Sequence, residues 1–340
     1  MELNYSFIIP VFNRPNEIAE LLQSMVALRF NGEFEIVIIE DGSALSSEEI
    51  ITGYKDKLNI SYFTKSNTGP GDSRNFGMTK AAGNYFLILD SDVVLPKDYL
   101  LEVDHFLRNR FYHCFGGPDG AHVSFTNLQK AINYAMTSFL TTGGIRGKEH
   151  SVNKFQPRSF NMGLSKEAFE ASRGFGRIHP GEDPDLSLRL QKLGYESTLI
   201  PAAKVYHKRR IDWNKFSQQV IKFGKARPIL NQWHPGSARI TYWFPTIFLL
   251  GLALSIILMV VWKPLLLFIY IGYLVVIGVD ATIKNKSFNI GVASVFATLV
   301  QFWGYGGGFM TSVWKINVLK MEPQKAFPEL FFNGSKEKRN

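Results

Sequence analysis

Several acids, cations and glycines in this chain stand where they could handle a phosphorylated ligand. Asp90-Ser91-Asp92 follows the apolar run Leu87-Ile88-Leu89. Two carboxylates two residues apart point to the same side of an extended chain and suit a hard divalent cation that carries phosphate oxygens. The same triplet also makes an ordinary turn. Glu40-Asp41-Gly42-Ser43 likewise ends an apolar run, residues 36–39. Its acids could accept from a nucleotide base or ribose, or simply close a strand. Arg14, in Pro10-Val11-Phe12-Asn13-Arg14, puts a cation beside a helix start, where an anion is welcome. The loop Asn67-Thr68-Gly69-Pro70-Gly71-Asp72-Ser73-Arg74-Asn75 offers backbone N–H groups and the Arg74 cation, or a capped helix start. Gly181-Glu182-Asp183-Pro184-Asp185 concentrates acids where the helix dipole favours them, and for Asp185 that dipole explanation suffices. His207 ends the short run Val205-Tyr206-His207.

Positioning these groups needs strands that end in loops. Residues 6–11, 34–39, 60–63 and 85–89 are short apolar runs of strand length. Between them, residues 15–28 place Ile18, Leu21, Leu22, Met25 and Leu28 at helical spacing, with Pro15 at the tolerant first position. Residues 73–82 are expected to be helical too. Strands alternating with helices predict an α/β domain, a mostly parallel Rossmann-like sheet with helices on both faces. Ligands of such sheets sit at the carboxyl ends of the strands, which gathers the loops after the first, second and fourth strands around one crevice.

In order and spacing, P-V-F-N-R, E-D-G-S, N-T-G-P-G-D-S-R-N and D-S-D together resemble the nucleotide-sugar half of the GT-A fold, and specifically glycosyltransferase family 2, over about residues 5–225. The resemblance implies an inverting transferase that needs Mg²⁺ or Mn²⁺. It implies nucleotide-sugar contacts at Pro10, Phe12, Arg14, Asp41, Gly71, Arg74, Asp90 and Ser91. The metal would fall to Asp92 and Asp90, with His207 completing its shell. Glu40 stands where the family more often has Asp. Asn161 and Gly163, in Phe160-Asn161-Met162-Gly163, resemble the family's acceptor-side segment. Gly181 to Leu190 resembles its E-D motif, which makes Asp183 the general base and Glu182 its support. Processive members carry Q-x-x-R-W, whereas this chain reads Gln219-Val220-Ile221-Lys222-Phe223. The expected product is therefore a single sugar transfer, from a UDP-sugar by default, to a lipid-linked or surface-glycan acceptor. The alternatives are a polyprenyl-phosphate glycosyltransferase and a catalytically inactive membrane scaffold, the latter opposed by the intact acids.

The last third differs in kind. Residues 240–262, 264–279 and 287–314 lack charged side chains apart from the interrupting Lys263. At 1.5 Å rise per residue the first and third can cross a hydrocarbon core of about 30 Å, while the second is short. Residues 1–230 are expected to form the catalytic domain. Residues 231–340 are expected to form a membrane region of two to three hydrophobic helices and a basic tail. Glycines 304, 306, 307 and 308 mark either a break or a close helix contact. Between residues 207 and 239, Lys208, Arg209, Arg210, Lys215, Lys222, Lys225 and Arg227 alternate with Trp213, Phe216, Val220 and Phe223. That pattern predicts a basic amphipathic helix on a bilayer surface. The net charge of +9 thus gathers beside apolar segments, and no stacking-and-basic module points to nucleic acid. The single cysteine, Cys114, gives no internal disulfide. The start of the chain lacks a signal-peptide pattern, so a multi-pass membrane protein with a cytoplasmic catalytic domain is expected.

Overall fold

The structure is a computed structural model that describes residues 2–120, 125–142, 155–207, 212–261 and 264–332. Its strands are β1 Tyr5–Val11, β2 Phe34–Asp41, β3 Ile60–Lys65, β4 Tyr85–Leu89, β5 Val93–Val94, β6 Cys114–Gly116, β7 Asp119–Gly120, β8 Asn161–Ser165, β9 Ser197–Leu199 and β10 Val205–His207. Its helices begin with α1 Pro15–Val26, α2 Glu48–Thr52, α3 Pro70–Lys80, α4 Tyr99–Asn109, α5 Asn127–Thr137 and α6 Phe139–Thr142. They continue with α7 Lys166–Ser172, α8 Glu182–Lys192, α9 Trp213–Trp233, α10 Phe244–Val261, α11 Leu265–Asn285, α12 Phe288–Ser312 and α13 Pro323–Ala326.

Contacts divide the chain into two compact units. The first holds residues up to 120, 155–207 and 331–332, and it is built on a seven-stranded sheet of order β3-β2-β1-β4-β8-β6-β9. Strand β8 runs antiparallel to β4 and β6, and the other pairings are parallel. Both faces are covered, so the strands read as continuous apolar runs. Phe7, Ile9, Ile36, Ile38, Leu87 and Leu89 face α1, α2 and α4. Ile8, Val37, Ile39, Phe86 and Ile88 face α3, α7 and α8. Each such wholly buried side chain contributes about 1.5–3 kcal/mol.

Helix α1 buries Ile18, Leu21, Leu22 and Met25, the stripe its spacing predicts. Helix α3 begins at Pro70, three residues earlier than expected, because Pro70 occupies its first turn and Gly69, at φ +93°, makes the left-handed entry. A second small sheet, β5-β10-β7, pairs Val93 with His207. It therefore places the end of β10 beside the loop that carries Asp90 and Asp92.

The second unit holds residues 125–142, 212–261 and 264–330. The boundary expected at residue 230 falls inside α9. The basic helix does not offer its apolar face to a bilayer: Phe216 and Val220 pack with Ile132, Ala135 and Met136 of α5 and Ala297 of α12. The glycines explain the fit. A Cβ on Gly308 would stand 2.5 Å from the Ile221 carbonyl oxygen, and one on Gly304 2.6 Å from Val220 Cγ2. A Cβ on Gly306 would crowd Pro245 and Leu249 of the first apolar helix, whereas Gly307 faces open space. So α12 is the packing centre of this unit, with Ser294, Thr298 and Ser312 wholly buried. Helix α11, expected to be short, runs 21 residues because it continues past its uncharged part, and there Asp280 pairs with Lys284 at 2.8 Å and accepts from Tyr134 Oη at 2.5 Å. Two segments, Ile240–Met259 and Leu265–Asn285, are long and apolar enough to cross a membrane. Lys208, Arg209, Arg210 and the tail residues Lys336, Lys338 and Arg339 lie outside the described residues.

Candidate active site

The loops after β1, β2 and β4 meet the start of α3 at one end of the sheet. Asp41 is 3% exposed. Its carboxylate accepts from the backbone N–H groups of Thr68 and Gly69 at 3.0 and 2.9 Å and from Lys65 Nζ at 2.7 Å. The glycine loop is thus hung on Asp41. Glu40 accepts from Ser43 Oγ, from Ser47 N–H at 3.0 Å and from Tyr62 Oη at 3.1 Å. Arg14 reaches across from β1 to ion-pair with Asp92, while Phe12 stays exposed. Pro10 lies within β1, and Ser91 is buried between the two acids. Gly71 is needed for close approach, since a Cβ there would meet the Gly176 carbonyl oxygen at 3.0 Å.

Arg74 joins the two sides of the site. It is 4% exposed. One guanidinium nitrogen meets Asp90 Oδ1 at 2.7 Å and another meets Glu182 Oε1 at 3.4 Å, while Phe175 lies under the cation at 5.4 Å. Glu182 also meets His179 Nδ1 at 2.8 Å. Burial opposes ionisation of Glu182, but His179 and Arg74 outweigh it and hold its carboxyl well below the usual glutamate range. The neighbouring Asp183 goes the other way. Burial and the charge on Glu182 push it up to about 6, and Arg74 and Ser159 offset only part of this. Its Oδ1 is buried with no hydrogen-bond partner among the described residues. One acid of the pair is therefore fixed as an anion and its neighbour is poised to exchange a proton near neutral pH, which is the property of a general base.

Asp185, by contrast, is tied to Arg189 at 2.9 Å. Asn161 is wholly buried, accepting from Tyr99 Oη and donating to the Ala203 carbonyl, each at 2.7 Å. Gly163 is packed beneath the Phe115 ring. Both serve the sheet rather than reaching an acceptor. The sequence did not single out Lys65, Asp72, His179 or Phe332. His179 stands three residues before Glu182, a spacing that could have marked it; Phe332 carries no local signal.

Residues 6–171, just under half of the 340, match the family model Glycosyl transferase family 2. The chain carries a family-2 glycosyltransferase domain. An uncharacterized glycosyltransferase of Rickettsia felis is 43% identical over 130 residues, 38% of this chain and 20% of that one. The poly(ribitol-phosphate) beta-N-acetylglucosaminyltransferase TarS of Staphylococcus aureus is 33% identical over 108 residues, 31% of this chain and 19% of its own length. The chain thus spans about a fifth of the length of these curated relatives. A mannosyltransferase from Pyrobaculum calidifontis, solved with GDP-Man and Mn²⁺, shares the fold at TM-score 0.56 and 14% identity, covering 95% of this chain and 89% of that one. The architecture of the family-2 domain is accordingly GT-A.

Among the described residues no three His, Cys, Asp or Glu side chains form a metal cage, and the His207 side chain lies outside them. The donors present in the family-2 domain nonetheless fit a divalent ion. Asp90 is 31% exposed in its side chain and Asp92 10%, and both leave one loop. One or two carboxylates are what Mg²⁺ takes when phosphates and waters fill the rest of its shell.

Proposed function

We propose that this protein is an inverting, membrane-associated glycosyltransferase that moves one sugar from a nucleotide-sugar to a glycan or lipid-linked acceptor. The observation that carries this is Asp183, a carboxylate with a raised pKa and an unpartnered oxygen. It is linked through Glu182 and Arg74 to the Asp90 loop. In the reaction Asp183 takes the proton of the acceptor hydroxyl as that oxygen attacks the anomeric carbon on the face opposite the leaving group. The C–O bond to the acceptor forms as the bond to the nucleotide diphosphate breaks, so a single displacement inverts the anomeric centre. Arg74 and Arg14 offer positive charge to the departing diphosphate. A divalent cation held by Asp90 and Asp92, Mg²⁺ or Mn²⁺, would supply Lewis-acid stabilisation of that leaving charge. A UDP-sugar is the donor we favour, since TarS is named for N-acetylglucosamine transfer onto poly(ribitol-phosphate). The two apolar segments favour an acceptor presented at a membrane.

The test is a donor screen on detergent-purified full chain. Nucleoside diphosphate release from UDP-, GDP- and dTDP-sugars is followed with Mn²⁺ or Mg²⁺ and a membrane lipid extract. Release from one donor is expected, lost with EDTA and lost in Asp92→Ala and Asp183→Ala. A lipid-linked monosaccharide product would identify polyprenyl phosphate as the acceptor. If no donor is turned over and no nucleotide binds with metal, the enzyme proposal is wrong.

A further inference from the structure

A residue far along the chain closes against the glycine loop and the segment that leads to Glu182 and Asp183. Phe332 sits over the glycine loop, where a Cβ on Gly69 would stand 2.3 Å from the Phe332 ring. Only glycine admits the ring at that point. On its other side the ring centroid lies 6.0 Å from that of His179, the partner of Glu182. The backbone is hooked as well: Phe332 N–H donates to the Arg177 carbonyl at 3.2 Å, and Phe331 forms an antiparallel bridge with Ile178. Between ring and loops lies a small cavity lined by Thr68, Gly71, Asp72, Ile178 and His179.

The two loops are already tied at their inner ends. Asn75 exchanges two hydrogen bonds with the Phe175 backbone, at 2.9 and 2.8 Å. Their outer ends, residues 67–71 and 177–181, are the parts that Phe332 touches. Those ends carry the backbone N–H groups of Thr68 and Gly69 and the entry to Glu182 and Asp183. The apolar ring of Phe332 bridges them.

We propose that Phe332 is a positioning residue of the transferase site, clamping the donor-side glycine loop to the base-bearing loop. The clamp rests on the transferase proposal above, but its mechanical part can be read without turnover. Full-length wild type, Phe332→Ala and Phe332→Leu are compared by amide hydrogen exchange. In Phe332→Ala, exchange in residues 67–71 and 177–181 should rise ~10-fold through local opening. Residues around Phe175 and in β1, β2 and β4 should not change, and Phe332→Leu should recover most of the protection. With a donor that wild type turns over, Phe332→Ala should raise the donor KM ~10-fold, with kcat changed far less. It should also increase the share of donor lost to water, and Phe332→Leu should restore both.

Unchanged exchange at the two loops would overturn the clamp. So would loosening spread over the whole sheet, which would mean a merely structural role. Faster transfer by Phe332→Ala would also overturn it, since the ring would then be an obstruction. If wild type turns over no donor, the transferase proposal falls while the exchange data still decide whether Phe332 holds the loops.

Discussion

Replacing Asp183 with asparagine should remove most of the activity and, above neutral pH, make the protein more stable. The side chain is pushed from the ordinary aspartate value of 3.8 up to about 6, first by burial and then by the charge of Glu182. The folded state therefore binds this proton more tightly than the unfolded chain. The corresponding stability is fully present below about pH 4 and is lost as pH rises through about 6. A shift of about two pH units corresponds to ~3 kcal/mol at pH 8. The amide does not recover all of it, because it must sit where Oδ1 has no partner, at a cost of ~1 kcal/mol. A net gain of about 1–2 kcal/mol remains, or roughly 3–6 °C in Tm for a unit of this size. Thermal unfolding of wild type and Asp183→Asn, followed by intrinsic fluorescence at pH 5 and pH 8 in the same detergent, measures it. The gap should be widest at pH 8 and narrower by about 1.4 kcal/mol at pH 5, where the folded Asp183 is protonated. An equal gap at both pH values, or a less stable variant at pH 8, would refute the assignment of the shared charge burden to Asp183.

Transfer by wild type should rise with pH along a limb centred near 6, as Asp183 loses its proton, and the limb should vanish from the residual activity of Asp183→Asn. Arg74→Ala leaves Asp90 and Glu182 without their shared cation and should destabilise the protein by about 3–5 kcal/mol, read by denaturant unfolding. Arg74→Lys should recover only part of this, because an ammonium cannot span both acids. Gly308→Leu should lower Tm by several degrees by forcing α12 from the Ile221 carbonyl, while Gly307→Leu, facing open space, should leave Tm unchanged.

The sheet was legible in the sequence because β1, β2 and β4 are largely buried on both faces, while β3 lies at the edge. Residues 36–39 and 85–89 are apolar without interruption and lead directly into Glu40-Asp41-Gly42 and Asp90-Ser91-Asp92. Pattern reading went less far in the last third of the chain. A basic amphipathic helix looks alike whether its apolar face meets lipid or protein, and what decides for α9 is a row of glycines more than 80 residues later. Asn161 and Gly163 were recognisable as a motif, but sequence alone does not tell a residue that touches a ligand from one that lets Phe115 and Tyr99 pack. The Arg74 to Glu182 link was invisible for a plainer reason: each end has a sufficient local explanation, a helix start, and only the fold brings them together.

The antiparallel strand β8 has a consequence for how the site comes into being. Strands β1 to β4 are consecutive in sequence and pair among themselves, so the half carrying Arg14, Asp41, Arg74 and Asp90 can collapse as soon as it is made. Strand β8 enters between β4 and β6 only after more than 70 further residues and brings α8 behind it. Long-range pairings of this kind form late. The half that we propose faces the nucleotide is thus expected to assemble before the proposed base Asp183 stands beside it, and a chain stalled in between would hold the proposed donor loop without that base.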